Sequence, residues 1–244
     1  MDIRGFIETS LIDWDGKISS VIFVPNCNFR CPFCSNAPLL NNIESLPQIM
    51  PAKIDEFLKQ RDKFIDGVVI TGGEPTLQND LPEYIKHLKS LGFLIKLDTN
   101  GSNPQMLKSL IENKLIDYAA MDIKAPLDER YLKSVGIPQT CLPAGEALVW
   151  GALHNSLLES LRFLIDSSFD YEFRTTVVPT FHDTADIEEI AKTINGAKRY
   201  MLQQFNPKDT LDPSLVLIKP YLKEKMIEIK NSCQKYVKTS LRGI

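Results

Sequence analysis

Apolar and polar positions follow two rhythms along the chain. Short apolar, β-branched runs occupy Ser20 to Pro25, Gly67 to Thr71, Phe93 to Asp98, Tyr118 to Ile123, Tyr171 to Val178 and Tyr200 to Phe205, and each reads as a strand. Between them, apolar residues recur at helical spacing. Ala52 to Phe64 and Leu81 to Leu91 read as helices. Met106, Leu107, Leu110, Ile111 and Leu115 share one helical face, and Leu153, Leu157, Leu158, Leu161, Leu164 and Ile165 form another stripe. Asp183 or Thr184 can cap a helix whose first turns carry Asp186, Glu188 and Glu189, and Lys219 to Tyr236 reads as the last helix. Strand and helix in repeated alternation predict a parallel sheet with helical crossovers. Right-handed crossovers then wind it into a barrel, a partial barrel or an open doubly wound sheet.

In each of these architectures the functional groups sit at the carboxyl ends of the strands. The polar residues fall there. Cys27 follows the first strand, Gly72-Gly73-Glu74 the second, Asp98 closes the third, and Asp122 with Lys124 ends the fourth. No internal repeat, low-complexity segment or Gly/Ser-rich linker divides the chain, so one domain over 1–244 is expected, with a core of about 18–207 and a C-terminal helical extension over 208–244. Residues from about Pro126 to Ala152 are the least regular. The 244 residues, 43% hydrophobic and 24% charged, are enough to bury a core without a disulfide or structural metal. A formal net charge of −3 with mixed signs argues against a general nucleic-acid binder. No apolar run is long enough for a bilayer, and the N-terminus lacks a signal-peptide layout, so no membrane partner and a cytoplasmic location are expected.

Three of the five cysteines lie within eight residues, in Cys27-Asn28-Phe29-Arg30-Cys31-Pro32-Phe33-Cys34. In a reducing compartment such a group reads as metal-binding or catalytic. Three thiolates on one tight loop can hold three irons of a cubane and leave the fourth open, whereas most electron-carrier clusters take four cysteines. An open position marks a catalytic metal site. The alternative is structural zinc, which wants four ligands in two paired halves; no second C-x2-C or H-x3-H half exists, and His87, His154 and His182 are scattered. Cys141 and Cys233 lack partners at ligand spacing and read as small hydrophobes.

The three-cysteine spacing, with aromatic Phe33 just before the third cysteine, resembles the radical S-adenosylmethionine (SAM) superfamily. The resemblance runs from Gly5 to about Pro207 and is strongest to glycyl-radical-enzyme activases, especially the activating protein of anaerobic ribonucleoside-triphosphate reductase. Gly5 to Lys17 is similar to the activase N-terminal loop, and Thr71-Gly72-Gly73-Glu74-Pro75 matches the superfamily's GGEP motif. Leu97-Asp98-Thr99-Asn100-Gly101, Met121-Asp122-Ile123-Lys124 and Phe173-Arg174-Thr175-Thr176-Val177-Val178-Pro179 match further activase strand ends. Ser35 replaces a frequent histidine and Asn26 the usual glycine; neither touches the ligand set.

The resemblance implies a partial (β/α)6 TIM-like barrel with one 4Fe–4S cluster on Cys27, Cys31 and Cys34 and SAM on the open iron. One electron then breaks a sulfur–carbon bond of SAM, leaving methionine and a 5′-deoxyadenosyl radical. No catalytic side chain is implied beyond the cluster and the SAM site. The activity would place a glycyl radical on a partner, the anaerobic ribonucleotide reductase, with a flavodoxin- or ferredoxin-type electron donor. Rival expectations are a radical SAM enzyme acting on a small molecule, such as 7-carboxy-7-deazaguanine synthase, and a non-catalytic iron–sulfur or zinc protein.

Each implied SAM-site residue also has a plainer reading. Gly72 and Gly73 let backbone approach a ligand, with Glu74 accepting from the SAM ammonium; alone, Gly-Gly-Glu-Pro is a turn. Asp98 and Thr99, with Asp122, would bind a monovalent cation beside the SAM carboxylate; Asp98 could instead form an Asx-turn. Asp122 and Lys124 lie on one strand face, so Lys124 stands near SAM or simply pairs with Asp122. A buried Arg174 needs a carboxylate, from SAM, from Glu74 or from another acidic neighbour. Gln204 to Pro207 would lie near the adenosyl group, and His182 reads as a residue at a helix start.

Overall fold

The first strand of the computed structural model, β1 (Gly5–Ser10), is one the hydrophobic pattern did not mark. It pairs antiparallel with β2 (Ser19–Val24), Gly5 opposite Phe23 and Ile7 opposite Val21. Its apolar positions are diluted by Glu8, Thr9 and Ser10, so pairing with β2, more than pattern, makes it a strand. The structure describes residues 1–137 and 146–244, and Cys141 lies outside them. The described residues fall into two units: Met1–Asn28 with Pro38–Ala120, and Phe29–Ala37 with Met121–Ile244.

In the first unit β2 runs parallel to β3 (Gly67–Gly72), which runs parallel to β4 (Leu94–Thr99). Val24 pairs with Gly72, so the chain leaving β2 for the cysteines and the chain leaving β3 for Gly73-Glu74 emerge side by side. Val68, Val69, Ile70, Ile95 and Leu97 are fully buried, as continuous apolar runs of parallel strands require. The helices are α1 (Pro38–Asn41), α2 (Pro51–Gln60), α3 (Leu81–Ser90) and α4 (Pro104–Glu112). Their buried faces follow the periodicity read from sequence: Ile54 and Leu58 on α2, Leu81, Tyr84, Ile85 and Leu88 on α3, Leu107 and Leu110 on α4. Trp14, from the loop after β1, packs on Val21, Val69 and Tyr118.

β5 (Tyr118–Asp122) begins in the first unit and places Met121 and Asp122 in the second. There α5 (Arg130–Ser134) and α6 (Glu146–Asp166) precede β6 (Tyr171–Val177), and Leu157, Leu161 and Leu164 of the apolar stripe are buried. The stripe is core. β6 runs parallel to β7 (Tyr200–Gln204), with Phe173 opposite Tyr200 and Val177 opposite Gln204. Between them α7 (Thr184–Thr193) starts at Asp183 with a full capping box: Asp186 N donates to Asp183 and Asp183 N to Asp186.

The C-terminal part departs from the helical extension expected over 208–244. The last helix, α8 (Lys223–Cys233), begins after Pro220 and Leu222 rather than at Lys219, because the residue before a proline is disfavoured in helical conformation. After it, β8 (Thr239–Arg242) adds a strand parallel to β7, Tyr200 opposite Thr239. Cys233 is buried on α8 with its sulfur on the carbonyls of Ile229 and Ile187 (3.3 and 3.7 Å), a packing position. Among the described residues, no helix is long and apolar enough to cross a membrane.

Candidate functional site

In the first unit the chain beyond β2 and the chain beyond β3 stay in contact past the ends of their strands. Gly73 N donates to Val24 O (2.8 Å) and Glu74 N to Asn26 O (2.8 Å). A Cβ on Gly72, which sits at φ +119°, would lie 2.4 Å from Val24 O; one on Gly73 would lie 1.8 Å from Asn26 O. The glycines are therefore required by the approach of the Cys27 loop, a reason within the chain itself. Asn26 takes φ +66°, a left-handed conformation that asparagine tolerates and glycine would adopt freely.

Glu74 is buried (1% exposed) and accepts hydrogen bonds from Thr76 N (3.1 Å), Thr76 Oγ1 (2.6 Å), Thr99 Oγ1 (2.7 Å) and Asn100 N (2.7 Å). Burial pushes its carboxyl above the ordinary value, against the pull of these donors. Thus Glu74 fixes the turn after β4. Asn100 then donates its side-chain amide to Asn28 Oδ1 (2.9 Å) and reaches Cys27 Sγ at 3.7 Å. In sequence, a lone asparagine in Thr-Asn-Gly carries only a turn signal, so this role of Asn100 is not legible there. Within that turn Asn100 Oδ1 accepts from Ser102 N (2.9 Å). Asp98 faces Lys96 on β4, Nζ to Oδ1 3.5 Å.

The second unit holds Cys31 and Cys34. Cys34 N donates to Cys31 O (3.0 Å), which closes a tight turn. Arg30 N donates to Val135 O (2.8 Å) and Asp212 N to Pro32 O (2.9 Å), so the loop is pinned from both sides. Gly136, at φ +68°, lies where a Cβ would stand 2.1 Å from Arg30 O. Phe33 packs edge-on against Phe181 (5.3 Å) and His182 (6.1 Å), which gives the aromatic before the third cysteine its task as an anchor.

Asp122 ends β5 between two cations: Arg174 Nε donates to Oδ1 (2.7 Å) and Lys124 Nζ to Oδ2 (2.8 Å). Arg174 thus meets an acidic neighbour, Asp122. Burial raises the Asp122 carboxyl, but Arg174 and then Lys124 outweigh it and hold it below the usual range. Burial lowers the Lys124 ammonium, but Asp122 and then Cys31 outweigh it and raise it. Burial raises the Cys34 thiol while the Asn36 amide and Lys124 favour its thiolate. Two cations thus flank one carboxylate, and Lys124 acts on Cys31 and Cys34 as well. Such a group suits thiolates and an incoming carboxylate.

His182 completes this unit. Val178 N donates to its Nδ1 (3.1 Å), so Nε2 carries the proton and donates to Lys124 O (2.8 Å). The imidazole is neutral and clamps the end of β5, a role its loop position did not disclose. Burial pushes its pKa down. As pH falls through about 6.5, the unfolded chain takes up this proton and the folded chain does not, so stability is full above that pH and lost below it. The urea midpoint of the wild type is expected to fall more between about pH 7.5 and about pH 5.5 than that of His182→Gln, whose folding free energy is smaller from the start by about 1–2 kcal/mol. Equal slopes would remove His182 as the source.

Residues 21–197 match the model of the Radical SAM superfamily, and the chain belongs to that superfamily. It has the fold expected from its strand–helix alternation, parallel strands flanked by helices, and is a radical SAM enzyme with a 4Fe–4S cluster and SAM as cofactors. A Methanocaldococcus jannaschii protein provisionally named a glycyl-radical enzyme activating enzyme is 35% identical over 96% of this chain and 92% of its own length. The 7-carboxy-7-deazaguanine synthase of Aquifex aeolicus is 26% identical over 86% of this chain and 79% of its own. In fold, the chain is similar to Streptococcus suis SuiB in its crystal structure bound to S-adenosylmethionine (TM-score 0.64, 14% identity, 91% of this chain and 52% of that one).

Proposed function

We propose that this protein activates a glycyl-radical enzyme by abstracting hydrogen from a glycine α-carbon, and that its partner is anaerobic ribonucleoside-triphosphate reductase. The observation that carries the activase reading is the end-to-end similarity to the M. jannaschii protein, over 96% of one chain and 92% of the other. Cys27, Cys31 and Cys34 would hold the cluster. What the reduced cluster and SAM supply together is one-electron cleavage of a sulfur–carbon bond, which gives methionine and a hydrogen-abstracting carbon radical. The chain's own residues supply position. Lys124 and Arg174, which Asp122 holds in place, would orient the SAM carboxylate. Glu74 would act through Thr99 and Asn100, keeping the Asn100 amide against Cys27. Gly72 and Gly73 would keep the cysteine loop in register with β3. A flavodoxin- or ferredoxin-type donor and a reducing cytoplasm would suit an oxygen-sensitive cluster.

The test is anaerobic incubation of the reconstituted protein with reductant, SAM and the reductase. A doublet radical on the reductase is expected, with one 5′-deoxyadenosine per radical. The similarity to the A. aeolicus protein favours a second reading, a small-molecule substrate of the 7-deazaguanine type. Appearance of 7-carboxy-7-deazaguanine with no radical on the reductase would select that reading instead.

A further inference from the structure

Lys96 is among the largest fully buried side chains, 1% exposed, in the middle of an apolar strand. It stands level with Val69 and, through Val69, with Val21, on the face that Trp14 and Tyr118 cover. Its ammonium donates to the carbonyl of Asp13, lies 5.8 Å from the centre of the Tyr118 ring, and stands 3.5 Å from Oδ1 of Asp98, two residues on along the same face. A lysine is placed so deep only where its charge is met, and here the charge is met by Asp98. The family resemblance brought a monovalent cation to Asp98, Thr99 and Asp122. The side chains present do not fit one. Asp98 already faces an ammonium. Thr99 Oγ1 donates to Glu74 and accepts from Gly101 N (3.1 Å). In the second unit, both oxygens of Asp122 accept from protein cations. A metal ion at either carboxylate would stand beside a like charge.

We propose that the Lys96 ammonium is a built-in replacement for a monovalent cation at Asp98, so that SAM binding by this chain needs no sodium or potassium. Lys96 is then a positioning residue: it neutralises Asp98 and ties the loop carrying Asp13 and Trp14 to β4. The inference rests on the reading that Asp98 stands beside SAM.

The experiment measures SAM dissociation constants on the anaerobically reconstituted protein, in choline chloride and in sodium, potassium or ammonium chloride at matched ionic strength. Wild-type affinity is expected to be the same in all four salts. Lys96→Met, with its cluster content and thermal transition checked, is expected to bind SAM about ten-fold more weakly in choline and to recover most of that loss in one of the small cations. Recovery by an added ion is an outcome that damage to packing alone would not give. Wild-type affinity that rises with sodium or potassium overturns the proposal without any variant. So does a Lys96→Met protein that stays weak in every salt, or one that binds as the wild type does in choline. If the wild type binds no SAM in any salt, the underlying reading falls and the proposal with it.

Discussion

Cys31→Ala is expected to lose the cluster and all SAM cleavage together. Cys31 is the deepest of the three, 7% exposed, and its carbonyl accepts the turn-closing hydrogen bond from Cys34. Three thiolates are already fewer than most clusters use, so removal of one leaves two irons without protein ligands. The charge pattern agrees, because Lys124 favours thiolate character at Cys34 and its own ammonium is raised in part by Cys31. Iron and sulfide per chain, the visible absorbance of the reconstituted protein and 5′-deoxyadenosine formation should all drop to background. Cys233→Ala is the control. It removes a buried sulfur from α8, costs about 1 kcal/mol of stability, and leaves the iron content unchanged. A Cys31→Ala protein with a full cluster signal would remove Cys31 from the ligand set.

Gly73→Ala is expected to have the second largest effect, through a collision of backbone with backbone. The added carbon would stand 1.8 Å from Asn26 O, and that carbonyl is held in place by Glu74 N. Neither side has a flexible end that could give way. The strand-end pairing must open, which displaces Cys27 and strips Glu74 of its fixed position. A stability loss of about 3 kcal/mol is expected, with cluster content reduced by more than half even in the folded fraction. Gly16→Ala separates this from ordinary glycine strain. Gly16 sits at φ +76° with nothing within 4 Å of the added carbon, so it should cost about 1 kcal/mol and spare the cluster. Equal losses from the two substitutions would mean that the approach of the cysteine loop is not what requires Gly73.

Much of this was legible in the chain, for physical reasons. Strands β2 to β7 are buried enough to be written as apolar runs, and α7 announces its start through Asp183 and Asp186. The cysteine spacing carries its chemistry because the ligands are near neighbours in sequence. What stayed hidden depends on pairing across the chain. β1 and β8 are half polar, and their ladders with β2 and β7 make them strands. At Gly72 and Gly73 nothing local shows that Val24 and Asn26 come so close. His182 does stand just before the α7 cap, but nothing local shows that its ring reaches Lys124 O and Phe33. Lys96 did leave a signal: a lone charge inside Leu94-Ile95-Lys96-Leu97, in step with Asp98, marks a buried pair.

The central claim is a cluster with one iron open to SAM. Electron paramagnetic resonance of the anaerobically reconstituted, reduced protein, recorded before and after addition of SAM, tests it most directly. The account expects a reduced 4Fe–4S signal that changes shape on SAM addition, followed by release of 5′-deoxyadenosine and methionine. A protein that retains tetrahedral zinc in place of iron, or a cluster whose signal is indifferent to SAM, would contradict it.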